Sequence, residues 1–304
     1  MRRLISETLR DVPDPVSGAD LYTATVRAAA GKDSFKSTYN ASSVEKQEHE
    51  VTYDILGSGS DYTVFFNHIG MPSLDAGFDG PYGVYHSVLD DYYWMSRFGD
   101  PGFLYHTAMV RVWGLLAYRI ADADILPFEE SPYPADVEKY LADLEKAARA
   151  GGALPDLTDL RAALSEWEKA AADLDAQVAA ALGSGDGVAP VGSGPGRAGG
   201  AQESNGSLAS AAALAQVNDA LMQAERDLLV PGGIPKRPWF RHLIYAPLPT
   251  YAAETLPGLR EAVADGDAGR ARAQARALAT AIRARAATIR RAGEDLTRST
   301  RTRG

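Results

Sequence analysis

Cysteine is absent from this sequence, which removes disulfide staples, thiolate metal sites and a cysteine nucleophile together. The compartment stays open, because exported proteins can lack cysteine too. Long hydrophobic runs are also missing: no stretch approaches the ~20 apolar residues of a membrane-spanning helix. The amino-terminal MRRLISETLRDVPDP has Arg2 and Arg3 but no apolar run behind them, so it does not read as a signal peptide. Positive charge is in deficit, with 31 Lys and Arg against 40 Asp and Glu and a formal charge of −9. That balance argues against nucleic acid as a partner, since phosphate binding needs a basic surface. There is no P-loop, no GxSxG elbow, no HExxH and no dinucleotide fingerprint.

What is present is ordinary core-forming material. The 304 residues are 45% hydrophobic and 23% charged, enough for two domains or for one with an appendage. Residues 1–124 read as mixed α and β. Leu4, Ile5, Leu9 and Val12 have the spacing of a helix already in progress at Met1, and Ala19–Ala30 is helical as well. Val51–Leu56 and Tyr62–Phe66 are predicted strands, the second because Tyr62, Val64 and Phe66 alternate with Thr63 and Phe65. Gly57-Ser58-Gly59-Ser60-Asp61 is a turn-forming run, and Gly70–Val84 is an ordered loop rich in Gly and Pro. Asp100-Pro101 predicts a helix start, with an acid at the N-cap and proline at the first helical position.

From 125 to 304 the pattern turns to long helices. Val137, Tyr140, Leu141 and Leu144 line one face. Leu157, Leu160, Leu164, Trp167, Ala171, Leu174 and Val178 alternate steps of three and four, a seam that wants a partner helix in the same domain or in a second copy. Residues 183–206 are a Gly/Ser/Pro/Ala-rich flexible loop. Helix resumes over Ser207–Leu229, and Glu254–Ala264 and Asp267–Ala292 close the chain. The last segment holds ten arginines between Arg270 and Arg303. Leu278, Ile282 and Ile289 supply its packing face, and the arginines are expected on a solvated face.

Five histidines could serve chemistry: His49, His68, His86, His106 and His242. No two have the short spacing of a metal site on one helix, and a lone histidine is more often structural than a ligand. His86 stands apart because a glycine-rich loop meets a helix there, with aromatic residues on both sides. Asp90, one turn onward, is placed to orient its ring. Imidazole suits zinc, but one ligand does not hold the ion.

The segment Gly57-Ser58-Gly59-Ser60-Asp61-Tyr62-Thr63-Val64-Phe65-Phe66 resembles the GSGxDxxxFF segment of the glutamate carboxypeptidase II and transferrin receptor family. Tyr85-His86-Ser87, followed by Arg97-Phe98-Gly99-Asp100-Pro101, resembles that family's last metal-ligand loop. The block Arg237–Pro247, then Tyr251 and Leu256-Pro257-Gly258, is similar to its dimerisation domain. The resemblance implies an α/β class: the C-terminal part of a zinc-exopeptidase α/β domain over 1–124, then an all-α helical-bundle dimerisation domain over 125–304. It implies two zinc ions about 3.5–4 Å apart that activate a bridging water for attack on a peptide carbonyl.

Residue by residue, the resemblance makes His86 the late histidine ligand of the zinc site and Tyr85 a hydroxyl that steadies the oxyanion. Ser58, Gly59 and Ser60 line the substrate cleft, and Tyr251 reaches the pocket for the terminal residue. The other ligands and the general base are expected in a portion N-terminal to Met1, which would leave this chain inactive alone, and an export signal would lie there too. Thr250 stands where glutamate-preferring members have a lysine, and Asp75 and Gly77 fall near a pair of arginines, so a preference for acidic substrates is not implied. The expected activity is hydrolysis of C-terminal peptide bonds by a homodimer with a peptide substrate. The alternative is a non-enzymatic, receptor-like interaction protein, and the imidazole at His86 favours the enzyme.

Overall fold

A computed structural model of the chain describes residues 1–30, 53, 55–78, 80, 82–148, 154–182 and 211–301. The loop expected over 183–206 and half of the strand expected over 51–56 lie outside the described residues. The chain divides into two compact units, Met1–Leu56 with Leu74–Asp122, and Gly57–Ser73 with Ala123–Gly304.

In the first unit, helix α1 (Arg2–Asp11) and helix α2 (Leu21–Ala30) are joined by a turn. Asp20 opens α2, accepting the amide and the hydroxyl of Thr23 at 2.8 Å each. A single turn, α3 (Tyr92–Trp94), continues into a π-helical turn at Met95–Gly99, and α4 (Leu104–Ala121) follows. Leu4, Val12, Leu21, Ala108, Val112 and Leu116 form the core that α1, α2 and α4 share. Buried Arg119 donates to the Thr8 hydroxyl at 2.8 Å and pairs with Asp11, which ties α4 to α1. Among the described residues this unit contains helices and loops and one isolated β-bridge, Pro13 to Asp20.

The start of α4 corrects the expectation for Asp100-Pro101. Gly102 and Phe103 adopt left-handed backbone, with φ of 82° and 55°, so the helical path cannot run through Pro101. Asp100 still serves the helix end. Its carboxylate accepts the amides of Tyr105 at 3.2 Å and His106 at 2.9 Å, five and six residues downstream.

The second unit is built on α5 (Pro132–Ala148), α6 (Thr158–Ala181), α7 (Ala211–Arg226), α8 (Pro257–Ala264) and α9 (Ala268–Arg301). At 34 residues, α9 is about 50 Å long. A short antiparallel hairpin of β1 (Tyr245–Pro247) and β2 (Ala253–Thr255) pairs Tyr245 with Thr255 and Ala246 with Glu254. Thus the predicted all-helical half includes a two-stranded sheet, and Glu254, expected to open a helix, lies on β2. Leu256 turns left-handed (φ 52°) and Pro257 then starts α8, where its missing N–H costs nothing.

Another correction concerns Tyr62–Phe66, predicted as a strand. The residues from Val64 to Ile69 form a π-helical turn. The run fits both periods, since Tyr62, Phe66 and Gly70 are also four apart. Helical hydrogen bonds along that spacing, Phe66 to Tyr62 at 2.9 Å and Gly70 to Phe66 at 3.2 Å, let Phe66 and Asn67 be buried together.

The seam of α6 finds its partner inside the chain. Leu160, Leu164, Trp167, Ala171 and Leu174 are all buried, and α9 packs along α6. Small side chains such as Ala163, Ala170 and Ala171 on α6 and Ala275, Ala279 and Ala286 on α9 are buried too, which allows close approach of the two backbones. The Trp167 face is therefore not available to a second copy. Nor are all the α9 arginines solvated. Arg285 is 3% exposed.

Its guanidinium is the centre of a buried ionic cluster. Arg285 makes a fork to Glu130, with contacts of 2.9 and 3.0 Å from Nη2 and 3.2 Å from Nε, and donates to Glu225 at 3.0 Å. Tyr133 and Trp167, packed edge to face against each other, lie beside it with ring centroids 4.8 and 5.0 Å away. The cluster thus joins the chain before α5 to α5, α6, α7 and α9. Burial opposes ionisation of Glu225, but Arg285 and a hydrogen bond from His242 prevail and bring its carboxyl down to about 2. Burial pushes Glu130 the other way, a push that Arg285 offsets only in part.

Two outcomes follow for stability. Arg285→Met leaves two buried carboxyls facing an apolar side chain, and urea unfolding at neutral pH should show a loss of about 3–5 kcal/mol. The pH dependence has a defined sign. The folded-state value of Glu225 lies below its ordinary 4.5, so its contribution is complete above that ordinary value and is lost as pH falls towards 2. The stability gap between the wild type and Glu225→Gln should therefore shrink over that window. A gap that stays constant there would show that the carboxylate is not held this way.

Candidate functional site

The residues assigned to a substrate cleft fall into two groups, one in each compact unit. In the second unit, the loop Ser58-Gly59-Ser60 meets the hairpin turn that bears Tyr251. The turn is closed by hydrogen bonds from the amide of Tyr251 to the carbonyl of Leu248 at 3.0 Å and from the amide of Leu248 to the carbonyl of Ala252 at 2.7 Å. Tyr251 itself has φ 67°, and its carbonyl accepts the Gly59 amide at 2.9 Å. The tyrosine ring lies against Gly59 so closely that a Cβ there would come within 2.5 Å of it. Only glycine fits. Tyr251 is 57% exposed, so its hydroxyl end is free to meet a ligand, and Thr250 beside it is exposed as well.

The loop is fastened at its base by Tyr62. The Tyr62 hydroxyl accepts the Gly57 amide at 3.0 Å and lies 2.9 Å from Ser58 Oγ. Thr63 Oγ1 accepts the Ser60 amide at 3.0 Å and donates to the Ser58 carbonyl at 3.3 Å. Gly57, with φ 108°, passes so close to Tyr245 that a Cβ would meet its side chain at 2.9 Å. Farther along, buried Asn67 donates to the Tyr245 carbonyl at 2.6 Å, and its own carbonyl accepts the Arg241 amide at 3.0 Å. Phe66 stacks on His242, centroids 4.6 Å apart. The segment that contains the loop is thereby part of the helical unit's core.

The hairpin also holds a charged cluster. Arg237 pairs with Glu254 at 3.1 Å and with Glu261, and donates to the carbonyl of Pro247. Burial and the neighbouring Glu261 charge raise Glu254 to about 7, against the pull of Arg237.

In the first unit, Tyr85 and His86 are both exposed and stack on each other, ring centroids 3.8 Å apart. His86 has left-handed backbone, φ 59°. Asp90, expected to orient the imidazole, instead accepts the His86 main-chain amide at 3.3 Å, so it shapes the turn rather than the ring. Asp91 accepts the Trp94 amide at 2.8 Å and caps α3. Among the described residues, no three His, Asp or Glu side chains come together as a metal-binding cluster. The donor set that two zinc ions need is not assembled by these residues. No helix among the described residues is long and apolar enough to cross a membrane.

His242 escaped the sequence reasoning. It was one of five histidines, inside a block noted only for its resemblance. It is fully buried, and Nε2 lies 2.8 Å from Glu225 while Nδ1 receives the amides of Ile244 at 3.1 Å and Tyr245 at 3.2 Å. Nδ1 therefore accepts and Nε2 bears the proton. His68 has the opposite tautomer, because its Nδ1 lies 2.8 Å from the Trp239 carbonyl and must donate to it.

Residues 155–290 match the transferrin receptor-like dimerisation domain. A probable glutamate carboxypeptidase of Arabidopsis thaliana, LAMP1, is 31% identical over 80% of this chain and 32% of its own length. A probable glutamate carboxypeptidase of Arthroderma benhamiae is 35% identical over 71% of the chain and 28% of its own length. The aminopeptidase NAALADL1 of Rattus norvegicus is 28% identical over 69% of the chain and 26% of its own length. The chain thus spans about a third or less of these relatives. On these similarities the chain belongs to the transferrin receptor-like peptidase family.

Proposed function

We propose that this chain is the substrate-binding and dimerising portion of a zinc exopeptidase that removes C-terminal residues from peptides. In this reading residues 1–124 complete an α/β peptidase domain and 125–304 are the dimerisation domain. The observation that supports it is the pairing of Gly59 with Tyr251. Two segments far apart in sequence, each assigned to the cleft by resemblance, meet through a 2.9 Å hydrogen bond and a ring packed on a glycine. Such a contact lets the dimerisation domain contribute a wall to the pocket for the terminal residue.

The chain's own residues have separable tasks. Ser58 and Ser60 offer hydroxyls to a peptide main chain, and Tyr251 offers an exposed ring and hydroxyl to the terminal side chain. The Tyr85 hydroxyl donates to the oxygen that gains charge when the peptide carbonyl is attacked. His86 offers an imidazole nitrogen to zinc. The described residues do not complete that metal site, so hydrolysis requires ligands and a general base from outside them. Thr250 gives the pocket a neutral hydroxyl, which does not select acidic residues.

The test is to join the amino-terminal portion of a glutamate carboxypeptidase relative ahead of Met1 and assay a panel of dipeptides. Chelator-sensitive release of the C-terminal residue is expected. His86→Ala should abolish it, and Tyr85→Phe should lower kcat by roughly 10²–10³-fold. Full turnover in His86→Ala would defeat the assignment.

The homodimer is a second part of the proposal. Its support is the family of the domain together with outward apolar side chains on the helical unit, such as Trp239 at 43% exposure. The interface lies on these outer faces rather than on the Trp167 stripe, which α9 covers. Stable dimers of this kind bury more than about 2,000 Å². Sedimentation of the whole chain should show a dimer that persists on dilution to micromolar concentration, and a well-folded monomer throughout would refute it. The whole chain is the right sample, because a fragment beginning at Pro127 would lose Phe66 from His242 and Asn67 from Tyr245.

A further inference from the structure

The geometry points to His242 as the residue that positions the candidate cleft, acting through its unprotonated Nδ1. The inference deepens the exopeptidase reading and rests on it for the meaning of the cleft, but not for the geometry. His242 sits where two systems meet. On one side Nε2–H donates to Glu225 at 2.8 Å, and Glu225 is held by Arg285. On the other, Nδ1 accepts two successive amides, those of Ile244 and Tyr245, and so fixes the chain as it enters β1.

Tyr245 is the next link. Its amide is on His242, its carbonyl is on Asn67 at 2.6 Å, and its Cβ is the surface over which Gly57 passes. Gly57 begins the loop that contains Ser58, Gly59 and Ser60. Two residues beyond Tyr245 the strand reaches the turn that presents Tyr251, and Tyr251 closes on Gly59. The imidazole thus sets both walls of the contact, the loop through Gly57 and the tyrosine through β1. Phe66, stacked on the ring at 4.6 Å, fixes the far end of the same segment. No other side chain described accepts both amides.

The two ring nitrogens can be tested apart. Asparagine places an oxygen near Nδ1 and gives up Glu225. Glutamine places an NH₂ near Nε2 and gives up the acceptor for Ile244 and Tyr245. The measurement is amide hydrogen exchange at Gly59 in the whole chain, with the α6 and α9 amides as an internal standard for global stability. His242→Gln should speed Gly59 exchange about tenfold relative to that standard, the equivalent of one lost hydrogen bond. His242→Asn should leave Gly59 close to wild type even though its contact to Glu225 is gone. Equal effects of the two variants, or the reverse order, would overturn the inference. A second measurement needs no variant. Nitrogen NMR of the wild-type imidazole should show Nδ1 unprotonated and coupled to the amides of Ile244 and Tyr245, and a proton on Nδ1 would refute it. Neither readout involves peptide hydrolysis, so a failure here is distinct from a failure of the exopeptidase reading.

Discussion

A single guanidinium, that of Arg285, is the constraint to which the second unit is fitted. A buried positive charge is costly unless oriented acceptors surround it, and once they do their positions are no longer free. Glu130 must lie where the chain enters α5, Glu225 must face inward from α7, and the Tyr133 and Trp167 rings must pack side by side against the guanidinium. An apolar core would let α9 slide or turn against its neighbours by small steps of similar energy. A bidentate ion pair at one point on a helix of about 50 Å removes those alternatives. Its value lies in fixing register more than in added stability, since pairs of this kind are often matched energetically by well-packed hydrophobic residues.

That constraint does not stop at the bundle. Glu225 is shared between Arg285 and His242, so the orientation of α9 is passed to the hairpin through one carboxylate. Polar groups that are buried together must satisfy one another, and in doing so they make a chain of fixed distances. The sequence places Ser58–Ser60 and Tyr251 in different halves of the protein. Only the core formed by Phe66, Asn67, His242 and Tyr245 explains why they meet. The boundary between units therefore does not follow chain order, and Gly57–Ser73 belongs with the helices that come long after it.

How much of this was legible depended on the kind of signal. The long amphipathic patterns read correctly: the seam through Leu160, Leu164, Trp167 and Leu174 is a buried helix face, and α5 buries Val137, Leu141 and Leu144. What a pattern cannot give is the identity of the partner: α9 fills the seam, and a second copy would match it equally well by periodicity. Short runs were less secure. Tyr62–Phe66 satisfies period two and period four at once, and tertiary contact with His242 and Tyr245 chose the helical form. Arg285 was visible in principle. It stands three residues after Ile282 and four before Ile289, on the apolar stripe itself, and an arginine at a core position demands a buried acid. Asn67 and His242 had no comparable signal, because their roles depend on main-chain groups that no side-chain pattern records.

Backbone strain supplies a last connection between the two groups of candidate residues. Among the described non-glycine residues, five have positive φ, and His86 and Tyr251 are two of them. A bulky residue in the left-handed region costs roughly 1–2 kcal/mol, so it persists only where its surroundings over-determine it. For Tyr251 those surroundings are visible: the turn from Leu248 to Ala252 closes behind it, and the Gly59 amide holds its carbonyl. For His86 the Asp90 carboxylate holds the amide. In both cases the strained residue is an exposed ring with one close neighbour, Gly59 for Tyr251 and Tyr85 for His86. Packing on one neighbour alone would not explain keeping a tyrosine where glycine or asparagine fits without strain. A requirement to present that side chain at a fixed angle would, and the same argument applies to the imidazole.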